Sequence, residues 1–202
     1  MTEGTINLFT AILDLISIVI LITFLFRLLK VDYYNPLVQG MLKFADIFTS
    51  LIRSIIKPIF RIDLASLIAA AVLQALCFYL ISLSGAESSP ESSADLFNYG
   101  IMISWSLFSV LLLELTIFKW ALIGGVVISL VAPASPSPPS KLLLQISDQI
   151  CKPFRSFLPL TGGLDFSPFL AIVSLYFLSY LVSWMATGVG IPDNSTIGNL
   201  IH

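Results

Sequence analysis

Four apolar stretches, each long enough to cross a bilayer, constrain this chain more than any other feature. They run from about Ile6 to Leu29, from Leu64 to Leu83, from roughly Ile101 to Val131, and from Phe166 to Trp184. A spanning helix needs about 20 mostly apolar residues, and inside hydrocarbon every backbone amide must be satisfied within the chain. Helices are therefore the expected form. The residues are 57% hydrophobic and only 11% charged, where a soluble domain carries about a quarter charged. The third stretch exceeds what the hydrocarbon core requires, so it is expected to tilt or to end in the headgroup layer.

The charges set a direction. Arg27, Lys30, Lys43, Arg53, Lys57 and Arg61 lie at or between spans one and two, and Lys141, Lys152 and Arg155 between spans three and four. The opposite side carries Glu3, Glu87, Glu91, Asp95 and Asp193 and no Lys or Arg. Short basic loops stay inside, so both long loops are expected in the cytoplasm and both termini in the periplasm of a bacterial inner membrane. The start, MTEGTINLF, has no basic residue before its apolar run and reads as an inserted first helix, not a cleaved signal peptide.

The two halves align at one offset of 102 residues. Pro36 falls on Pro138, Asp46 on Asp148, Arg53 on Arg155, Ser54 on Ser156 and Asp63 on Asp165. Five identities of this kind at one offset, flanked by matching spans, indicate duplication. Each unit has two spans, so the repeat is parallel rather than inverted. The expected organisation is a first repeat over 1–83, an acidic Ser-rich linker over 84–100, a second repeat over 101–185 and a tail over 186–202. The fold class is an all-α membrane protein with four spans and one amphipathic interfacial helix per repeat.

Those two helices are read from their spacing. Gln39, Lys43, Asp46, Ser50, Arg53 and Lys57 recur at steps of three and four, with Leu, Phe and Ile on the remaining face. Lys141, Gln145, Asp148, Lys152 and Arg155 repeat the stripe. Such a helix lies in the interface or tucks under the bundle. Asn35-Pro36 and Ser137-Pro138 precede the two helices, with Pro suited to the first turn. Asp63 and Asp165 stand at the mouths of spans two and four, where a carboxylate caps free amides. Two readings of these residues stand side by side. In one, the stripes are solvated faces, the acids are caps and the arginines meet lipid phosphate. In the other, the Asp and Arg pairs form a quasi-symmetric docking surface.

Within the membrane, Asp14 lies in span one and Glu114 and Lys119 in span three. Such charges usually face a bundle interior. Either Asp14 pairs with Lys119 or joins Glu114 around a cation, or Lys119 snorkels inward and one acid is protonated. Gly124, Gly125 and Ser129 give span three a small-residue face for close packing in the bundle or in a dimer. Trp105 and Trp184 read as interfacial anchors. The two cysteines, Cys77 and Cys151, read as packing residues rather than a disulfide.

The chemistry expected to be absent is also legible. The one histidine, His202, ends the chain, and neither a phosphate loop nor a paired-cysteine metal motif occurs. No enzyme, cofactor or metal is expected, and no nucleic-acid partner. Expected partners are anionic membrane lipids, other membrane proteins and a second copy of the chain.

YNP at Tyr34 to Pro36, the amphipathic helix ending near Arg53, and LPLTGGLDFSPFL at Leu158 to Leu170 resemble the YggT (YlmG-like) family unit. The resemblance covers most of the chain. The first copy, IKPIFRIDLAS, lacks the glycine and the Ser-Pro of the pattern. The resemblance implies a membrane organiser or assembly factor, linked to osmotic tolerance, to cell division or nucleoid distribution, or to biogenesis of a membrane complex. Partner or lipid contacts are expected at Asn35, Pro36, Arg53, Asp63, Arg155, Gly163 and Asp165. A small ion channel, transporter or accessory subunit using Asp14, Glu114 and Lys119 is the alternative.

Overall fold

The computed structural model describes residues 3–56, 62–84, 99–133, 137–156 and 165–188. Six helices follow one another: α1 (Glu3–Leu28), α2 (Pro36–Ile55), α3 (Leu64–Ser84), α4 (Tyr99–Val131), α5 (Pro138–Arg155) and α6 (Ser167–Gly188). No strand occurs among the described residues. Four helices, α1, α3, α4 and α6, are long and apolar enough to span a membrane. The acidic linker and the tail lie mostly outside the described residues, as do Lys57, Arg61 and Gly163.

The duplication is visible in the element order, span, short helix, span, twice over. Within each unit the two spans pack on each other, α1 on α3 and α4 on α6, and the short helix packs beside them. The units join where α4 packs on α3 and touches α1. A strict two-fold would then set α6 along α1. It does not lie there: α6 packs on α4 and α5 and is the least buried of the four spans. At 33 residues α4 is about 50 Å long, well beyond the hydrocarbon thickness of about 30 Å.

Two apolar clusters hold the bundle. Ile20 and Leu21 of α1 meet Ala69 and Ala70 of α3 and Val110 and Leu113 of α4 in one. In the other, Leu25, Phe26, Val31 and Val38 meet Leu122, Leu142, Ile146, Ile150 and Ala171, so Val31 in the turn after α1 is buried against the second repeat. That turn is sharp because Lys30 takes a positive φ of 53° and the Val31 amide donates to the Phe26 carbonyl at 3.0 Å, a left-handed helix stop. Cys77 and Cys151 are buried and free.

The first short helix, α2, keeps apolar side chains on its outer face, whereas the exposed positions of α5 are Lys141, Asp148, Lys152, Arg155 and prolines. Ile47, Leu51 and Ile55 of α2 are exposed while Val38, Ala45 and Thr49 are buried. Water alone is a poor environment for such a helix, so the outer stripe suits an interface with lipid. The polar stripe is not uniformly solvated, because Asp46 and Arg53 turn toward the spans.

The two glycines of α4 differ in role. A Cβ on Gly125 would stand 2.3 Å from Ser147 Cβ and 2.6 Å from the Leu143 carbonyl oxygen of α5. On Gly124 the nearest atoms are Leu143 methyls at 3.5 and 3.7 Å. Ser129, expected on the same small-residue face, is exposed, and its hydroxyl donates to the Val126 carbonyl. Gly125→Ala is therefore expected to lower stability by about 2 kcal/mol through forced separation of α4 and α5. Gly124→Ala should be neutral or slightly stabilising. Unfolding of the detergent-solubilised variants measures both, and equal effects would show that the α4–α5 approach is not the cause.

Candidate functional site

Asp63 sits one residue before α3, with its side chain only 8% exposed. Its carboxylate accepts from Arg27 at the end of α1, from Arg53 of α2 at 3.1 Å and from the Ser66 hydroxyl of α3 at 2.8 Å. Asp46 of α2 accepts from Arg27 at 2.9 Å and from Arg53 at 2.6 Å. Arg53 also donates to the Thr49 hydroxyl at 2.9 Å. The sequence builds this locally. Asp46, Thr49 and Arg53 are three and four apart, so they share one face of α2. Arg27 stands in the last turn of α1, where a cation complements the helix dipole.

Two cations and two anions thus alternate around one junction and tie the three helices of the first unit together. Burial raises the Asp63 carboxyl, but the Ser66 hydroxyl, Arg27 and Arg53 outweigh it and hold the group below the usual carboxylate range. Asp46 is also raised by burial and brought below that range by Arg53 and Arg27.

The second unit repeats the frame with one member changed. Arg155 pairs with Asp148 and, through Nε, with Asp165 at 2.8 Å. Asp165 caps α6, accepting from the Ser167 amide at 2.9 Å and from its hydroxyl. The Ser167 bonds and Arg155 hold Asp165 low against a smaller effect of burial. Asp148 and Asp165 in turn raise Arg155. Ser129 occupies the position, 102 residues on, that Arg27 occupies in the first unit. Among the described residues this network therefore has two carboxylates and one guanidinium. It is also more open, with side-chain exposures of 58%, 35% and 43% for Asp148, Asp165 and Arg155.

Asn35 and Pro36 open α2 and join the two units. Asn35 caps α2 by accepting from the Leu37 amide at 3.0 Å, with Pro36 in the first turn. The Asn35 amide group also donates across the repeat to the Pro138 carbonyl at 2.8 Å. Nearby, the Asp32 backbone amide donates to the Gln145 side-chain oxygen at 3.2 Å.

At membrane depth, Asp14 accepts from the Gln74 amide at 2.9 Å, and the Ser109 hydroxyl donates to the other end of Gln74 at 2.8 Å. One polar string thus links α1, α3 and α4. Lys119 lies over the Tyr176 ring, 4.9 Å from its centre, an accommodation that stabilises a desolvated ammonium. It is not paired with Asp14. Glu114 is 8% exposed, and both of its carboxyl oxygens, like the hydroxyl of buried Ser17, lack a hydrogen-bond partner.

The structure therefore brings Arg53 to Asp63 and Arg155 to Asp165, and it keeps the two pairs in separate networks. Gly163 lies outside the described residues. Sequence reasoning did not assign Arg27, Asp46 and Asp148 as ion-pair partners, although the acids recur at the repeat offset and Arg27 closes an apolar span. It also missed Gln74, a lone amide in an apolar helix. No cluster of metal-ligating side chains occurs among the described residues.

Carboxylates held below their unfolded value of about 3.9 stabilise fully above it and lose that effect as pH falls through their lowered pKa. Stability that depends on Asp46 and Asp63 should therefore be level from neutral pH to about 5 and fall below about 4. Asp63→Asn, which leaves two cations with one anion, is expected to cost about 3 kcal/mol. The more exposed Asp165→Asn should cost under about 1 kcal/mol. Comparable losses in thermal unfolding would contradict the difference between the two networks.

Comparison with known proteins agrees with this architecture. The CCB3/YggT family model matches the chain twice, over residues 2–84 and 104–186, two stretches offset by the repeat length at both ends. The chain is 32% identical over 191 residues to the uncharacterized protein PA0392 of Pseudomonas aeruginosa, with 91% of each covered. It is 27% identical over 187 residues to the uncharacterized protein YggT of Escherichia coli K12, again with 91% of each covered. A protein in the proC 3′ region of Vibrio alginolyticus is 27% identical over 175 residues, covering 87% of this chain and 91% of that one. No solved structure matches the chain. With both halves matched and the helical frame duplicated, the chain belongs to the CCB3/YggT family, as two tandem units of it.

Proposed function

We propose that the protein is a non-enzymatic organiser or assembly factor of the bacterial plasma membrane, which docks another membrane protein through the second unit's charge network. The excess of Lys and Arg on the side of α2 and α5 orients that side to the cytoplasm. One observation carries the docking reading: Asp148 and Asp165 share one Arg155 and are open, whereas in the first unit Arg27 completes the set. The first unit serves as a template for what the second would accept, a guanidinium or ammonium group. The expected partner presents Arg or Lys at the end of a membrane span. Osmotic tolerance, division and membrane-complex biogenesis are the processes in which such a scaffold is expected to act.

Ser129→Arg supplies the missing cation from within the chain. It should abolish cross-linking between a photoreactive residue at position 152 and the partner protein in cells, and leave stability equal or slightly higher. Arg53→Ala should weaken folding rather than docking. If the cross-linked product survives Ser129→Arg unchanged, the docking reading fails.

A second reading, a small ion-conducting or accessory transport protein, is favoured by Glu114. A buried carboxyl without a partner is costly at membrane depth and is often retained for function. If it holds, potassium, sodium or proton flux into liposomes should fall at least tenfold in Glu114→Gln. Vesicles that stay sealed with the parent protein would remove this reading.

A further inference from the structure

The seam between α1 and α4 is covered differently on its two sides. On one side α3 packs against both helices. On the other, the repeat-equivalent helix α6 packs on α4 and α5 and does not run along α1. A cavity of about 520 Å³ opens in the place left uncovered. Its walls include Ile18 and Ile22 of α1, Thr116, Trp120 and Ala121 of α4, and Pro139 of the first turn of α5. Thr116 brings no free polarity, because its hydroxyl donates to the Leu112 carbonyl at 2.8 Å. The walls are therefore apolar, and Trp120 on the α4 side of them is largely exposed.

We infer that this cavity is a binding site for one phospholipid of the leaflet on the α5 side, with an acyl chain in the α1–α4 cleft and its phosphate beside Lys141. Size decides against a helix as occupant. An α-helix with side chains is about 11 Å across, so the cavity would hold about one 5.4 Å turn of it. A hydrocarbon chain, whose atoms touch at about 4 Å, fills roughly 300 Å³ over the 15 Å or so of one leaflet. It fits with its whole length in contact.

The headgroup end is argued from α5. Pro139, Leu142 and Leu143 line the cleft, which puts exposed Lys141 on the turn at its inner end. The amides of that turn contribute little. Pro138 and Pro139 have none to donate, and the Lys141 amide is bonded to the Ser137 carbonyl at 3.1 Å. The phosphate is therefore held by the Lys141 side chain as a point charge, and the chain supplies most of the affinity.

Trp120 reports on the site, since it lines the cleft and is 69% exposed. The full-length protein carrying Trp105→Phe and Trp184→Phe is reconstituted with phosphatidylglycerol brominated on its acyl chains. It is then extracted into detergent free of brominated lipid. Quenching of Trp120 that persists after extraction is the expected result. Loss of all quenching on extraction would show only ordinary boundary lipid and overturn the site.

Ala121→Phe, which fills the cleft, should remove at least four-fifths of the retained lipid seen by native mass spectrometry. Retention unchanged in a folded Ala121→Phe protein would also overturn it. Lys141→Ala should keep the quenching and reduce the preference for phosphatidylglycerol over phosphatidylethanolamine by about fivefold. An unchanged preference would overturn the headgroup assignment. Inorganic phosphate should not displace the lipid, and displacement would overturn the primacy of the chain.

Discussion

The Asp63 carboxylate is the point on which the first unit depends. Arg27 reaches it from α1, Arg53 from α2 and Ser66 from α3, so one group of 8% side-chain exposure receives a donor from each helix of the unit. An ion removed from water costs several kcal/mol unless its lone pairs are satisfied. Here both charge and lone pairs are met, and they are met only when all three helices are in place. Apolar contacts between spans have little directional preference in lipid, where the surroundings are as apolar as the side chains. A charged junction at the membrane edge supplies the missing specificity: it fixes where α2 lies and which end of α3 meets α1.

Duplication of that frame has not produced two equal halves. Asp46, Arg53 and Asp63 recur as Asp148, Arg155 and Asp165, yet Arg27 becomes Ser129. Gln74, which links Asp14 to Ser109 across three spans, becomes Tyr176, over which Lys119 lies. The buried Ser17 stands where the second unit has Lys119 itself. The polar groups that cross-link α1, α3 and α4 thus have no counterpart that ties α6 to α1. The packing agrees, with α6 lying mainly on α4 and α5.

The fold was legible because bilayer physics is simple. Length and apolarity alone bounded four spans, and each helix ends within a few residues of the expected place. Proline and asparagine marked the start of α2 correctly, since Asn35 does cap it. The partners of the charged residues were harder to read. Nothing in the spacing of Asp46 and Arg53 says whether their face meets water or Arg27, because that depends on how α2 lies against α1 and α3. Asp63 was expected as a helix cap; its carboxylate takes the Ser66 hydroxyl and its main-chain carbonyl the Ser66 amide, whereas the Asp165 carboxylate itself holds the Ser167 amide. At membrane depth the same limit applied: the sequence placed Asp14 and Lys119, but their partners Gln74 and Tyr176 are neither charged nor close in sequence, and nothing in it marked the Glu114 carboxyl as unpartnered.

The asymmetry has a physical consequence for each side of the molecule. In the first unit, equal numbers of cations and anions leave nothing for a further charge to neutralise, so its junction acts as a fastener. In the second, Arg155 divides its donors between two carboxylates that remain exposed to the bathing phase, and a surface carboxylate in that position gains from any additional cation. The same loss of symmetry leaves the α1–α4 seam without a covering helix on one side. Once the repeat has set both halves to one plan, the positions where the second half departs from it are the surfaces left free to meet lipid or protein.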